Sequence, residues 1–397
     1  MPGSQHPAFF FVSLVVTAGM LWVFYLWGTT TLPWLARRRR LFAAALAVLF
    51  TVDRIAELLV VHRHDEAAGL VHSWLVLVFT TMILGAIPVL AVLGVGAALA
   101  RRGGAGRPTP VPPSAPGPTA MTRRQVVESV AGVAIYGATG SMLGWGMVYG
   151  RHAFTLEEVP LRIPGLPRAL DGYVIAQVSD LHTGAFIGDR ELDEGFALVR
   201  RARPDLVVVT GDVVDFDLAF APLAARKLAD LPARDGVTAI LGNHDYYAGA
   251  DELLGILRAA GIDTLRDAGK VMRAGDGGGF ALLGVDDLSS IRHGRGGPRL
   301  DLALAMVPAD RPRILLSHQP SSVDRWPGQV AAQLSGHTHG GQINPGFSPL
   351  GLLMKYVAGA YAVGGTTLYV NRGFGTVGAP ARVGAPPEVT RFVLVSA

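Results

Sequence analysis

The sequence predicts a soluble α/β domain behind an N-terminal bundle of about four transmembrane helices. Half of the 397 residues are hydrophobic, and the mean hydropathy is +0.36, high for a chain wholly in water. The long apolar stretches are confined to the first 150 residues. From about residue 160 onward, short apolar runs alternate with helical patterns, as expected for strands joined by crossovers.

Four stretches reach the roughly 20 apolar residues that a spanning helix needs. They are 9–28, 41–61, a run within 70–100, and 126–150. The third carries Pro88, which predicts a kink or tilt. Residues 1–100 are therefore expected to form three spans, 101–124 a Pro/Gly-rich cytoplasmic linker, and 125–150 a fourth span. Arginines set the orientation. Arg37 to Arg40 lie between the first two spans, and Arg101, Arg102, Arg107, Arg123 and Arg124 between the last two, whereas the opposite flanks are poor in positive charge. Residues 151–397 are expected outside the cytoplasm, in a multi-pass protein of the cell membrane. Arg123 and Arg124, just before a glycine-rich span, also read as a twin-arginine-like signal anchor, which sends the domain the same way.

The second span contains Asp53, Arg54 and Glu57. Arg54 and Glu57 are three apart and can pair on one helix face. Charges within a membrane raise a functional role, such as a ligand path; an interhelical ion pair near the outer surface is the plainer reading. Gly140 and Gly144 suggest close helix packing.

Charge divides with the chain. Residues 1–125 carry a net +7 and residues 126–397 a net −3, so the basic character belongs to the membrane flanks and no nucleic-acid-binding patch is indicated. There is no cysteine, which excludes disulfides and thiolate metal sites.

Eight runs read as buried strands: 173–179, 206–210, 237–241, 280–285, 313–317, 331–335, 367–371 and 389–395. Helical patterns cover 190–202 and 251–261. Five of the strands run into short polar motifs: Asp180-Leu181-His182, Gly211-Asp212-Val213-Val214-Asp215, Gly242-Asn243-His244-Asp245, Ser317-His318-Gln319-Pro320, and Gly336-His337-Thr338-His339-Gly340-Gly341-Gln342. Ligands gather beyond the carboxyl ends of strands in open α/β sheets, so five loops are placed to meet at one edge. Five of the 11 histidines fall in these motifs.

The contents suit a two-metal site. Two cations about 3.5–4 Å apart need a bridging anion, for which Asp212 is the natural candidate. Oxygen and imidazole ligands favour Mn, Fe or Zn. A water between the metals becomes the nucleophile near neutral pH, and the glycines leave room for sharp turns and a phosphate. In an extended loop His337 and His339 would lie on one side, each reaching a different cation.

The ordered set DLH, GDxxD, GNHD, SHQP and GHTHGGQ resembles the calcineurin-like metallophosphoesterase family, in its bacterial membrane-associated and exported branch. The resemblance covers about 170–397. It implies a four-layer α/β/β/α sandwich with a dinuclear centre. By motif, Asp180, His182 and His339 would bind one metal, Asp212 would bridge, and Asn243, His318 and His337 would bind the second. His244 resembles the family's catalytic histidine, which protonates the leaving oxygen, with Asp245 orienting it. Arg372, in YVNRGFG, resembles a segment that binds phosphate near the site. Asp215 either orients a ligand histidine or caps a loop.

The expected function is a membrane-anchored, metal-dependent phosphohydrolase acting on lipid- or cell-wall-linked phosphomonoesters or phosphodiesters. One alternative is a transporter or sensor with a regulatory phosphoesterase domain. Another is hydrolysis of a UDP-linked lipid A precursor, as relatives of the family perform; that substrate is presented on the cytoplasmic side, against the expected topology.

Overall fold

The computed structural model describes residues 7–63, 66–103, 121, 123–275 and 278–397. They divide into two compact units, Met1–Trp145 and Gly146–Ala397.

The first unit is helical, with α1 (Pro7–Thr31), α2 (Pro33–Arg37), α3 (Arg39–Arg63), α4 (Glu66–Gly103) and most of α5 (Arg123–Val148). Leu21, Leu46, Phe79 and Met82 form a buried cluster among α1, α3 and α4. Among the described residues, two stretches, Val71–Val95 and Arg123–His152, are long and apolar enough to cross a membrane. The expected count of four is therefore not carried. α3 fails because Asp53, Arg54 and Glu57 interrupt it, with Arg39, Arg40 and Arg63 at its ends. Residues 104–120 of the linker, and the side chains of residues 9–13, 16 and 20 in the expected first span, lie outside the described residues. Asp53 is fully buried; it pairs with Arg54 and accepts a hydrogen bond from His72 Nδ1 at 2.9 Å. The side chain of Glu57 lies outside the described residues. A Cβ on Gly140 would stand 3.3 Å from Thr81 Cγ2, whereas Gly144 faces open space among the described residues, so of these two only Gly140 marks close packing.

The second unit contains strands β1 (Thr155–Ile163), β2 (Val174–Val178), β3 (Leu206–Thr210), β4 (Val237–Ile240), β5 (Asp263–Thr264), β6 (Ala268–Met272), β7 (Phe280–Gly284), β8 (Arg313–Leu316), β9 (Ala332–Ser335), β10 (Gly359–Val363), β11 (Thr366–Val370) and β12 (Glu388–Ser396). They form two six-stranded sheets, ordered β1-β12-β2-β3-β4-β5 and β10-β11-β9-β8-β7-β6. Helices α6 (Asp189–Ala202), α7 (Ala221–Ala229), α8 (Asn243–Ala248), α9 (Ala250–Ala259) and α10 (Leu300–Ala305) complete the unit.

Apolar residues decide the layering. Ile175, Leu206, Val208 and Ile240 from one sheet meet Phe280, Leu282, Ile314 and Leu316 from the other in a shared core. The alternate residues Val207 and Val209 pack outward against Phe196 and Val199 of α6 and Leu253 and Leu257 of α9. On the far side, Leu283 and Leu315 pack against Leu300 and Ala303 of α10. Central strands are thus covered on both faces, which is why they read as continuous apolar runs. All eight expected strands form, each within a residue or two of its expected ends.

Phe280 is fully buried in the inter-sheet core, its ring edge-on to Tyr173 at 5.5 Å. Phe280→Ala is expected to lower stability by about 3–5 kcal/mol, read as a lower unfolding midpoint of the detergent-solubilised chain. Leu302→Ala, on the exposed face of α10, should cost under about 0.5 kcal/mol.

Candidate metal centre

β2, β3 and β4 run parallel, as do β8 and β9, so their carboxyl ends open toward common loops. Asp180 and His182 follow β2, Asp212 and Asp215 follow β3, and Asn243 and His244 open α8 after β4. His318 follows β8, and His337 and His339 follow β9.

These loops bring the ligand-type atoms to two foci. At the first, His182 Nε2 and His339 Nε2 stand 3.0 Å apart, with Asp180 Oδ1 3.5 Å from His339 Nε2. At the second, His318 Nε2 lies 3.2 Å from His337 Nδ1 and 3.1 Å from Asn243 Oδ1. Asn243 Oδ1 is 2.8 Å from His337 Nδ1. Asp212 serves both, its Oδ2 lying 3.6 Å from His182 Nε2 and 3.2 Å from His318 Nε2.

The rings are held from behind. His318 Nδ1 donates to Thr210 O at 2.8 Å, so once Nε2 gives up its proton its lone pair faces a carboxylate, an amide oxygen and another imidazole nitrogen. A set of acceptors aimed at one point is what a cation satisfies. His182 Nδ1 donates to Asp215 Oδ1 at 3.3 Å, so its Nε2 is likewise free for a metal. The donor set therefore fits two divalent ions with nitrogen and oxygen ligands. His339 needs a tautomer change to take part. Arg382 Nη2 stands 3.1 Å from its Nδ1, which favours the proton on Nε2, whereas ligation through Nε2 requires it on Nδ1.

Two short approaches make the arrangement possible. His337 N–H donates to Asp180 Oδ1 at 2.9 Å, and His244 N–H to Asp212 Oδ1 at 2.8 Å. A Cβ on Gly336 would overlap Ser179 Oγ and Asp180 Oδ2, and one on Gly242 would overlap Asp212 Oδ1. These glycines admit carboxylates rather than a phosphate. The loop of His337 and His339 is not extended as expected. Both residues have positive φ, 74° and 52°, in a tight turn that sends His337 to the second focus and His339 to the first. Asp180, His182 and Asp212 also sit at positive φ, a conformation rare outside glycine and concentrated at functional sites.

Charge at the centre is divided by burial and proximity. Burial opposes ionisation of Asp212, but His318, His182 and His244 outweigh it and hold the carboxyl far below its usual range. Burial also opposes protonation of His318, yet Asp212 raises it well above an ordinary histidine. His339 is driven well below by burial, with His182 and Arg382 adding to the effect. His337 is lowered by burial and by His318.

A family model described as calcineurin-like phosphoesterase matches residues 173–341. The chain is 32% identical over 294 residues to the uncharacterized metallophosphoesterase YkuE of Bacillus subtilis, spanning 70% of this chain and 98% of that relative. The chain belongs to the calcineurin-like metallophosphoesterase family. It is a hydrolase of phosphoric esters. It is also 32% identical over 269 residues to a transmembrane protein with metallophosphoesterase domain from Danio rerio, spanning 65% of this chain and 61% of that one. A solved dimetal phosphatase from Danio rerio overlays 51% of this chain and 88% of its own at a TM-score of 0.35 and 13% identity.

Two roles expected within this metallophosphoesterase domain need correction. Asp245 does not hold the His244 ring. Its carboxylate accepts the N–H groups of Asp212 (2.9 Å), Val213 (2.8 Å), Val214 (3.2 Å) and Gly242 (2.8 Å). Burial and the adjacent Asp212 carboxylate push it up to about 7. Asp215 takes the orienting part, its Oδ1 lying 3.0 Å from His244 Nδ1. Arg372 is not a free phosphate receptor, because its guanidinium pairs with Glu157 at 2.6 Å and Glu388 at 3.1 Å. The residue missed is Arg382, the largest fully buried side chain. Its guanidinium donates to Gly375 O (2.9 Å), Arg372 O (2.7 Å) and Ala385 O (3.1 Å). No motif marks it; only the burial of a lone arginine in PARVGAP does.

Gly336→Ala should push Asp180 off the His337 N–H and weaken Mn(II) binding at least about tenfold, by analogy with other losses of ligand support. Titration calorimetry reads the affinity; an unchanged far-ultraviolet spectrum and unchanged affinity together would refute the packing argument.

Proposed function

We propose that the chain is a membrane-anchored phosphohydrolase whose domain lies outside the cytoplasm and acts on lipid- or cell-wall-linked phosphoesters. The observation that carries the chemistry is the position of His244. Its ring packs edge-on to His182 at 4.5 Å, its Nδ1 is taken by Asp215, and its Nε2 has no hydrogen bond among the described residues. Two divalent cations, first-row metals by ligand type, would be held by Asp180, His182 and His339 on one side and Asn243, His318 and His337 on the other, with Asp212 between. When bound they supply the Lewis acidity that phosphoester hydrolysis needs.

Around them the protein positions and moves protons. Asp215 keeps the His244 proton on Nδ1 and turns Nε2 toward the reacting group, where a second proton is delivered to the leaving oxygen. Phe216 and Tyr247 flank the ring at 4.7 and 5.3 Å, so a leaving group meets an aromatic wall beside that proton. Anchoring is supported by the two stretches able to span a membrane and by the Danio rerio relative, which is named as a transmembrane protein. Orientation is supported by the arginines at 37–40, 101, 102, 107, 123 and 124.

His244→Ala is expected to keep its metals while losing about 10²- to 10⁴-fold in turnover of an aryl phosphodiester. Wild-type-like turnover would remove His244 from the mechanism. Because the chain has no cysteine, Asp310→Cys offers one exposed thiol. A membrane-impermeant maleimide applied to intact cells should label it, and labelling only after lysis would reverse the orientation.

A further inference from the structure

Between the metal-ligand loop and β10, residues 343–354 (INPGFSPLGLLM) contain no charged side chain. Leu352 and Leu353 are 80% and 85% exposed and Phe347 is 60% exposed. Both leucines are more exposed than Ile87, at 69%, in the candidate span Val71–Val95. Elsewhere in the unit, beyond the candidate span, the large exposed apolar side chains Phe216, Ile291, Leu302 and Met306 are not adjacent in sequence; two adjacent leucines at a loop tip are a different feature.

The turn that carries the two leucines has its own N–H groups satisfied. The N–H groups of Gly351, Leu352, Leu353 and Met354 donate to Ser348, Pro349, Leu350 and Leu350 carbonyls at 3.1, 3.2, 2.9 and 2.8 Å, and Pro345 and Pro349 have no N–H. Backbone donors satisfied internally are the condition for entering an apolar medium. Lys355 closes the segment, two-thirds exposed and paired with Asp324 at 3.0 Å.

The loop is rooted where α5 enters the domain. Gly146, inside the candidate span Arg123–His152, accepts a hydrogen bond from Arg382 N–H at 3.1 Å, and a Cβ on Gly146 would touch Val383. Val383 in turn pairs with Ile343 and accepts from Asn344 N–H at 2.7 Å. On its inner side the loop borders a cavity of about 360 Å³, whose lining includes Gly340, Asn344, Ser348, Met354, Tyr361 and Arg372. Gly340 directly follows the ligand His339.

From these observations we propose that Phe347, Leu352 and Leu353 insert into the bilayer that anchors the chain, so that the metal centre receives phosphoesters of membrane lipids through the adjoining cavity. The proposal rests on the membrane-anchored phosphohydrolase reading and narrows its substrates to lipids. Docking of this kind buries an apolar face about 5–10 Å deep at the headgroup boundary.

The test uses the full chain in lipid nanodiscs. An environment-sensitive fluorophore on Leu353→Cys should shift to the blue and be quenched by doxyl-labelled phosphatidylcholine, while the same probe on Leu302→Cys should not. Equal access of both probes to aqueous iodide would overturn the docking. So would protection of the Leu353→Cys probe that grows with protein concentration in detergent without lipid quenching, since that marks a second copy as the occupant. The L352D/L353D variant should lose at least about tenfold in turnover of a bilayer-embedded phospholipid and stay within about twofold on a soluble aryl phosphodiester. Equal losses on both substrates would overturn the lipid assignment. A wild-type chain inactive on both would instead sink the phosphohydrolase reading, with lipid quenching still deciding the docking.

Discussion

The Asp245 carboxylate accepts four backbone N–H groups, from Asp212, Val213, Val214 and Gly242, and the metal centre is built on that set of bonds. It laces the loop after β3 to the loop after β4. Once they are joined, Asp212 lies where His244 N–H can hold its Oδ1 and where its Oδ2 faces His182 and His318. Hydrogen bonds to a charged acceptor contribute about 1.5–3 kcal/mol each; here they oppose, without cancelling, the burial and the Asp212 charge that raise Asp245. Asp245 thereby shapes backbone, and it is Asp215 that contacts the rings of both His182 and His244.

The remaining loops reach the same place by accepting unfavourable backbone. Asp180, His182, Asp212, His337 and His339 all have positive φ, at a cost of order 1–3 kcal/mol each. Each strained residue is pinned by a partner from another loop: Asp180 by His337 N–H, His182 by Asp215, and His339 by Arg382. Cations bound by these ligand atoms would stabilise the fold by mass action.

How much of this was legible follows from where each element lies. All eight strands read from the sequence are formed, and all eight occupy interior positions of the two sheets. The four that escaped, β1, β5, β6 and β10, are the four sheet edges. Edge strands are half solvated, so their sequences lack a continuous apolar run; β1 reads TLEEVPLRI and β10 alternates partly buried and exposed positions. The histidines were legible for the opposite reason, being placed at the ends of interior strands among glycines. Tertiary partners were not. Nothing local distinguishes Asp215 as an orienting carboxylate, or Arg372 as already paired with Glu157 and Glu388, because those contacts join residues far apart in the chain.

Arg382 and Val383 show what such long-range contacts accomplish. The backbone N–H of Arg382 is tied to Gly146 at the end of α5, and its side chain reaches His339 and the carbonyls of Arg372, Gly375 and Ala385. Val383 pairs with Ile343 at the root of the apolar loop. Two consecutive residues therefore connect Gly146 of α5, the loop that exposes its leucines, and His339 of the first focus. Burying a guanidinium without a direct carboxylate partner is expensive, enough to lower Arg382 to about 9; it stays a cation at neutral pH and offsets the Asp180 carboxylate nearby. The consequence is positional. With helix exit, loop root and His339 fixed to one another by short hydrogen bonds, the distance from the apolar loop to the metal focus becomes a property of the rigid fold, independent of the linker that precedes α5.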